Sequence, residues 1–368
     1  MLPLLSGELF GNPSSGHRFG RAAHAALEGA RREVATALGV EPSCVVFTSG
    51  GTEANNLAIL GSALAARDRG EPMLVAVAAT EHKAVLAAAH EVARRGGAER
   101  ILPVTQDGCV EWAALDRCLA ERPAVLSVMW VNNETGITQP IAEIARRAEV
   151  AGVPFHTDLV QAFGKIPLSL RDHPIALATI SGHKIGAPKG IGALITRNPS
   201  RLAPLVHGGS QQNGLRPGTE NIAGAVGLGR AATLAAAQVA EESRRLGALR
   251  AELSAQLRAN IPDLIVVADE TTHAPHVLNV LVPGAETASL LMHLDLAGIA
   301  ASGGSACATG AIDPSHVLLA MGIPHELARG AIRFSLGQQT TADDIARAAA
   351  IIPATVARLR HTAGSPHA

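Results

Sequence analysis

Through the first two-thirds of the chain, short apolar runs alternate with Ala-rich stretches, and this alternation constrains the fold more than any other feature. Ser43–Phe47, Met73–Ala78, Ala124–Val131, Val153–His156 and Ile175–Ile180 read as strands. Glu53–Arg67, Ala84–Arg95 and Ile141–Ala151 read as helices. Repetition of strand, helix and strand predicts an α/β fold, a mostly parallel sheet covered on both faces by helices. The pattern changes after Gly218. A long helical segment runs over Ile222–Ala259, then strand-like Leu264–Val267 and Val277–Val282, then helical Ala288–Ala297. The expected organisation is a large domain over 11–244 and a smaller α+β C-terminal domain over 245–368, with 1–10 assigned to the smaller one.

Composition removes several classes of function. Hydrophobic residues make up 47% and charged residues 17% of 368, enough for a sizeable core. The formal net charge is -1 and no basic stripe is present, which argues against direct nucleic-acid binding. The chain has no Tyr and only 2% aromatic residues, a poor basis for stacking bases. No apolar run reaches the ~18 residues of a membrane helix, so no membrane partner is expected. Met1–Phe10 carries no basic stretch of the signal-peptide kind. Cys44, Cys109, Cys118 and Cys307 are unevenly spaced without a Cys-x-x-Cys pair, which disfavours a zinc ribbon or a disulfide framework. The pattern fits a reducing compartment, and a cytoplasmic location is the expectation.

The chain contains only four lysines, Lys83, Lys165, Lys184 and Lys189. Lys184 ends the run Ala176-Leu177-Ala178-Thr179-Ile180-Ser181-Gly182-His183-Lys184, a buried-type strand emptying into a turn. Ligands of open α/β sheets sit at the carboxyl ends of strands. A lysine there could carry pyridoxal phosphate (PLP), although a surface lysine after a strand is also common. Asp158 ends a second such run and could pair with a pyridine nitrogen, as PLP chemistry requires; Asp is equally a favoured helix cap. Thr48-Ser49-Gly50-Gly51-Thr52-Glu53 lies between a strand and a helix, where free backbone N–H groups suit a phosphate. His82, in Glu81-His82, could stack on a ring and move protons, or simply start a helix. Cys307 lies among small residues, Ala301 to Gly310, that pack little surface; a mobile loop carrying a reactive thiol is expected. Arg333 alternates within Ala331–Ser335 and could grip a carboxylate, or be an edge-strand charge.

These residues fall within a series of motifs. FGNPSSGHRFGR, VVFTSGGTEANNLAI, EHKAVL, VNNETG, HTDLVQAFGKIPL, SGHKIGAPKGIGAL, GLRPGTENIAG, SGGSACATG and AIRFSLGQQTT follow one another from Phe10 to Thr341. In that order they resemble the cysteine desulfurases of the class V aminotransferase family, the branch with a Ser-Ala-Cys loop. The resemblance implies PLP-dependent transferase fold type I and conversion of L-cysteine to L-alanine, with sulfur passing to Cys307 as a persulfide. It implies a Schiff base on Lys184, Asp158 at the pyridinium nitrogen, Gln161 at the ring hydroxyl and His82 over the ring. Thr52, Ser181 and His183 would contact the phosphate, with Gly51 leaving backbone room. Thr219 would reach the phosphate of the second subunit of a homodimer. Asn133, near cofactor and substrate, and Arg333 would bind the cysteine. Partners implied are L-cysteine and a sulfur acceptor, an iron-sulfur scaffold or a thiolation protein.

The family's opening strand and Ala-Thr-Thr turn would lie upstream of Met1, and Met1–Leu5 reads as the middle of the helix that follows. A start placed too late is the reading adopted here. Gly303 stands where the family tends to have Ser. A selenocysteine lyase or another class V β-lyase is the nearest alternative, disfavoured because an elimination needs no acceptor thiol. An inactive PLP-binding scaffold is disfavoured by the retained Lys184, His82, Cys307 and Arg333.

Overall fold

The computed structural model describes residues 1–7, 10–268, 273–303 and 313–363. The chain divides into two compact units. The larger comprises Met1–Leu102, Val110–Val131 and Gln139–Val239; the smaller comprises Pro103–Cys109, Asn132–Thr138 and Ala240–Ala368.

In the larger unit the strands are β1 (Val45–Thr48), β2 (Leu74–Ala78), β3 (Ala98–Leu102), β4 (Val125–Ser127), β5 (Phe155–Asp158), β6 (Leu177–Ser181) and β7 (Gly192–Thr196). Among the described residues they form one sheet in the order β1-β7-β6-β5-β4-β2-β3. Neighbours from β3 through β6 pair in parallel, and β7 is antiparallel to both β6 and β1. Strands β1, β2, β4, β5 and β6 therefore share one direction, and their carboxyl ends share one edge of the sheet. All five are buried along their whole length, which is why β1, β2 and β6 read as largely apolar runs. The helix Gly51–Asp68 is buried over most of its length, and Leu57, Ile59, Leu60 and Leu64 pack with Val75, Val77, Val85 and Val92 in the core of this unit.

Some expectations are corrected. β4 stops at Ser127 instead of Val131, although Val128 N and Trp130 N still donate to His156 O and Asp158 O of the neighbouring strand. β3, Ala98-Glu99-Arg100-Ile101-Leu102, was not read from the sequence, because an edge strand half open to solvent carries charges. The start of the chain belongs to the larger unit and not to the smaller one. Met1 Sδ lies where a Cβ on Gly227 would reach, so the start packs against the helix Ile222–Asn260. That helix also meets the length and hydropathy of a membrane span, with a mean hydropathy of 1.3 over its most apolar window, contrary to the expectation that no apolar run is long enough. Its apolarity comes largely from Ala, a helix former. Further along it carries Glu241, Glu242, Arg244 and Arg245, and Leu246, Leu253 and Leu257 are buried in a protein core.

In the smaller unit β8 (Ile265–Val266), β9 (Val277–Leu281) and β10 (Ala331–Ser335) form an antiparallel sheet in the order β10-β9-β8. Leu278 and Val280 of β9 and Ile332 and Phe334 of β10 pack with Leu290, Leu294, Ile345 and Ile352.

Candidate active site

The shared direction of β1, β2, β4, β5 and β6 delivers the sequence-predicted residues of the larger unit to one edge. Thr48 ends β1, Glu81 and His82 follow β2, Asp158 ends β5, and Ser181 ends β6 with Lys184 in the single turn after it. Pairing places Asp158 opposite Thr179 on β6. Asp158 is only 4% exposed. Its Oδ2 accepts from Asn55 Nδ2 at 2.7 Å and its Oδ1 from Val160 N at 2.8 Å. Burial holds the Asp158 carboxyl above its ordinary pKa, against its two hydrogen bonds and the neighbouring His82 and Lys184, which pull it down. His82 and Lys184, each from a different strand end, thus both act on Asp158.

His82 caps the helix Lys83–Arg94, its Nδ1 accepting from Ala84 N at 3.0 Å. That bond fixes the neutral ring as the Nε2–H tautomer and leaves Nε2 on the exposed side chain as a donor. Cap and ring chemistry are compatible, because they use different nitrogens.

At the start of the helix Gly51–Asp68 the chain makes a close approach that requires glycine. A Cβ on Gly192 would come within 2.7 Å of Gly50 Cα, and one on Gly51 within 3.4 Å of Ser181 Cβ. The N-terminal turn of this 18-residue helix therefore borders Ser181, whose Oγ lies 3.0 Å from His183 Nδ1. Burial, with the positive charges of Lys184 and Lys189, keeps the His183 ring below its ordinary pKa. Thr52 is exposed at this turn, and Glu53 is neutralised by Arg216 at 3.0 Å. The arrangement suits an anionic group at the helix end and a cationic group against Asp158. Gln161 is half-buried in the turn after Asp158, and Thr219 is exposed.

Three features were missed from sequence. Asn55 orients Asp158 from the second turn of its helix, and its position among apolar residues gave no cue beyond an Asn at helical spacing. Arg216 pairs with Glu53 across a separation that no local pattern encodes. Beneath the edge runs a buried polar chain. Met129 N donates to Glu81 Oε1 at 2.5 Å, Ser127 Oγ lies 3.4 Å from Glu81 Oε2 and 2.8 Å from His156 Nδ1, and His156 Nε2 lies 3.0 Å from Thr179 Oγ1. Glu81 is pushed up to about 8 by burial and by the charge of Asp158, and burial lowers His156 to about 3. Burial thus favours the neutral form of both, and of the two carboxyls Asp158 is the one that His82 and Lys184 pull towards ionisation.

In the smaller unit, Arg333 and Asn133 come together through the backbone: Arg333 Nη1 donates to the Asn133 carbonyl at 2.7 Å. Arg333 Nε is buried and makes no hydrogen bond among the described residues. A guanidinium with a spare buried donor can receive a carboxylate. Cys307 lies outside the described residues.

The family model for class-V aminotransferases matches residues 5–348. The chain is 40% identical over 360 residues to cysteine desulfurase IscS of Dictyoglomus turgidum, covering 98% of this chain and 91% of that protein. It is 43% identical over 362 residues to cysteine desulfurase NifS of Azotobacter vinelandii, covering 98% and 89%. A solved NifS-like protein superposes with a TM-score of 0.86 at 31% identity, covering 98% of this chain and 93% of that one. With its nearly complete match and the Asp158, His82 and Lys184 cluster at the sheet edge, the chain belongs to the aminotransferase class-V family.

Proposed function

We propose that this chain is a PLP-dependent cysteine desulfurase that converts L-cysteine to L-alanine and holds the sulfur on Cys307. The observation that carries the proposal is the buried Asp158 carboxylate within the fields of Lys184 and His82, at the carboxyl edge of a mostly parallel sheet. Such a carboxylate would hold a ring nitrogen in its protonated form, and the glycine-lined helix end with Thr52, Ser181 and His183 would hold a phosphate. When bound, PLP supplies the electron sink that stabilises negative charge at the substrate α-carbon.

The remaining work falls to the chain's own side chains. The Lys184 amine takes the α-proton. His82, whose Nε2 is the available ring nitrogen, moves protons at the same edge. Arg333 and Asn133 hold the substrate carboxylate. The Cys307 thiolate attacks the substrate sulfur: an S–S bond forms, the C–S bond breaks, and the carbon keeps the electron pair and takes a proton to give alanine. Thr219 would complete the phosphate site of a second copy in a homodimer. The persulfide would pass to an iron-sulfur scaffold or a thiolation protein in the cytoplasm.

The test is sulfide and alanine release from L-cysteine by the purified chain with PLP and a reductant, beside Cys307→Ala. Cys307→Ala is expected to bind PLP with the same yellow absorbance and to lose sulfide release. Equal release by both proteins would mean a simple lyase and overturn the persulfide role. PLP binding without release by either would favour a non-catalytic scaffold.

A further inference from the structure

The segment Asn132–Thr138 belongs to the smaller unit and is held there by side chains from its sheet. Asn279 of β9 and Arg333 of β10 are cross-strand partners. Directly opposed residues project from the same face. They grip successive carbonyls of the segment: Arg333 Nη1 that of Asn133 at 2.7 Å, and Asn279 Nδ2 that of Glu134 at 3.0 Å. Asn132 Oδ1 accepts from Glu134 N and Thr135 N at 2.9 Å each, which fixes the backbone that carries Glu134.

Glu134 itself is 3% exposed, and its Oε2 accepts a short hydrogen bond from Ser315 Oγ. Ser315 is committed to that role. It caps the helix His316–Ala320, its oxygen accepting from Val317 N at 3.1 Å and Leu318 N at 3.4 Å, so its one proton is left for Glu134. The Glu134 charge offsets the burial of the Arg333 guanidinium, yet among the described residues no direct ion pair joins the two. Arg333 Nε stays buried and makes no hydrogen bond among the described residues.

We propose that Glu134 is a positioning residue that sets the affinity of Arg333 for carboxylates: held away by Ser315, it balances the buried guanidinium without occupying the donors that a substrate carboxylate needs. This rests on the reading of Arg333 as the substrate-carboxylate site. Glu134 and an incoming carboxylate share one cation and repel each other, so the site binds its ligand more loosely than a lone buried arginine would. A desulfurase has a use for such tempering, since its product alanine carries the same carboxylate as its substrate.

The test uses PLP-loaded protein and calorimetric binding of 3-mercaptopropionate, which has the carboxylate and thiol of cysteine but no amine. Glu134→Gln keeps an oxygen for Ser315 and removes the charge; affinity is expected to rise by about five- to tenfold. Ser315→Ala keeps the charge and frees it to swing onto the guanidinium; affinity is expected to fall by about threefold or more. The neutral 3-mercaptopropionamide should respond to neither change. Unchanged affinity in Glu134→Gln, or shifts of the same sign in both variants, would reduce Glu134 to a structural role and overturn the proposal. If Glu134→Gln does not fold, Ser315→Ala decides alone, weaker binding supporting the proposal and unchanged or tighter binding refuting it. An Arg333→Gln arm separates the two layers: if it binds 3-mercaptopropionate as well as the parent, the carboxylate site lies elsewhere and the underlying reading is what fails.

Discussion

Replacing Glu81 by Gln should stabilise the protein, and by an amount that grows with pH. Glu81 is fully buried, beside a second buried carboxylate, Asp158. Its pKa stands near 8 in the folded protein against an ordinary value of 4.5. For an acid whose folded pKa is raised, the folded state holds the proton more tightly than the unfolded state. Its contribution to stability is therefore complete below pH 4.5 and is lost as pH rises towards 8. The shift of roughly 3.5 units corresponds to about 5 kcal/mol in all, of which about 4 kcal/mol falls between about pH 5 and about pH 9. Gln titrates in neither state. It also reproduces the local bonds, since its amide oxygen can accept from Met129 N and its amide nitrogen can donate to Ser127 Oγ. The stability difference between Glu81→Gln and the parent should thus widen by about 4 kcal/mol in favour of the variant across that pH range. Denaturant unfolding of the PLP-free proteins at several pH values, followed by fluorescence of the buried Trp130, measures this directly. Asp158 titrates in both proteins, so its contribution largely cancels. A difference that stays flat with pH would show that Glu81 is ionised in the folded state, and the reading of a neutral buried Glu81 would be refuted.

Two further changes probe the same edge. Asn55→Ala removes the 2.7 Å bond to Asp158 Oδ2 and should weaken PLP affinity by roughly tenfold, since a hydrogen bond to a charged group contributes about 1.5–3 kcal/mol; equilibrium dialysis with absorbance detection checks it, and unchanged affinity would mean that Val160 N alone suffices to orient the carboxylate. Gly182→Ala would set a Cβ 2.8 Å from Ile191 Cγ2 and 3.0 Å from Ile191 O, displacing the turn that carries Lys184. A loss of about 1–3 kcal/mol by thermal unfolding is expected, and an unchanged midpoint would mean that the turn yields without cost.

Much of this organisation is legible in the chain itself. Strands buried on both faces are largely apolar, so β1, β2 and β6 announce themselves as runs, and polar or charged residues at strand ends stand out as candidates. Asp158 and Lys184 were visible for that reason. β3 was invisible for the converse reason: an exposed edge strand has no need of an apolar run. Asn55 was passed over because a single polar residue on a helix does not reveal which distant carboxylate it will meet. The same holds for Glu81, which local sequence presents only as the residue before His82; burial under the sheet edge, next to Asp158, is what changes its chemistry.

The sequence by itself determined the α/β class, the identity of the strand-end residues and the motif order that marks the family, because these depend on periodicity and on residues near one another in the chain. Only the tertiary structure decided which of those residues share an environment. Parallel pairing brings His82 and Lys184, 102 positions apart, both to act on Asp158. Docking of Asn132–Thr138 on the smaller unit's sheet joins Asn133 to Arg333 and sets Glu134 beside them. Charge, burial and hydrogen-bond geometry act through space, and for these groups that space is closed only by the fold.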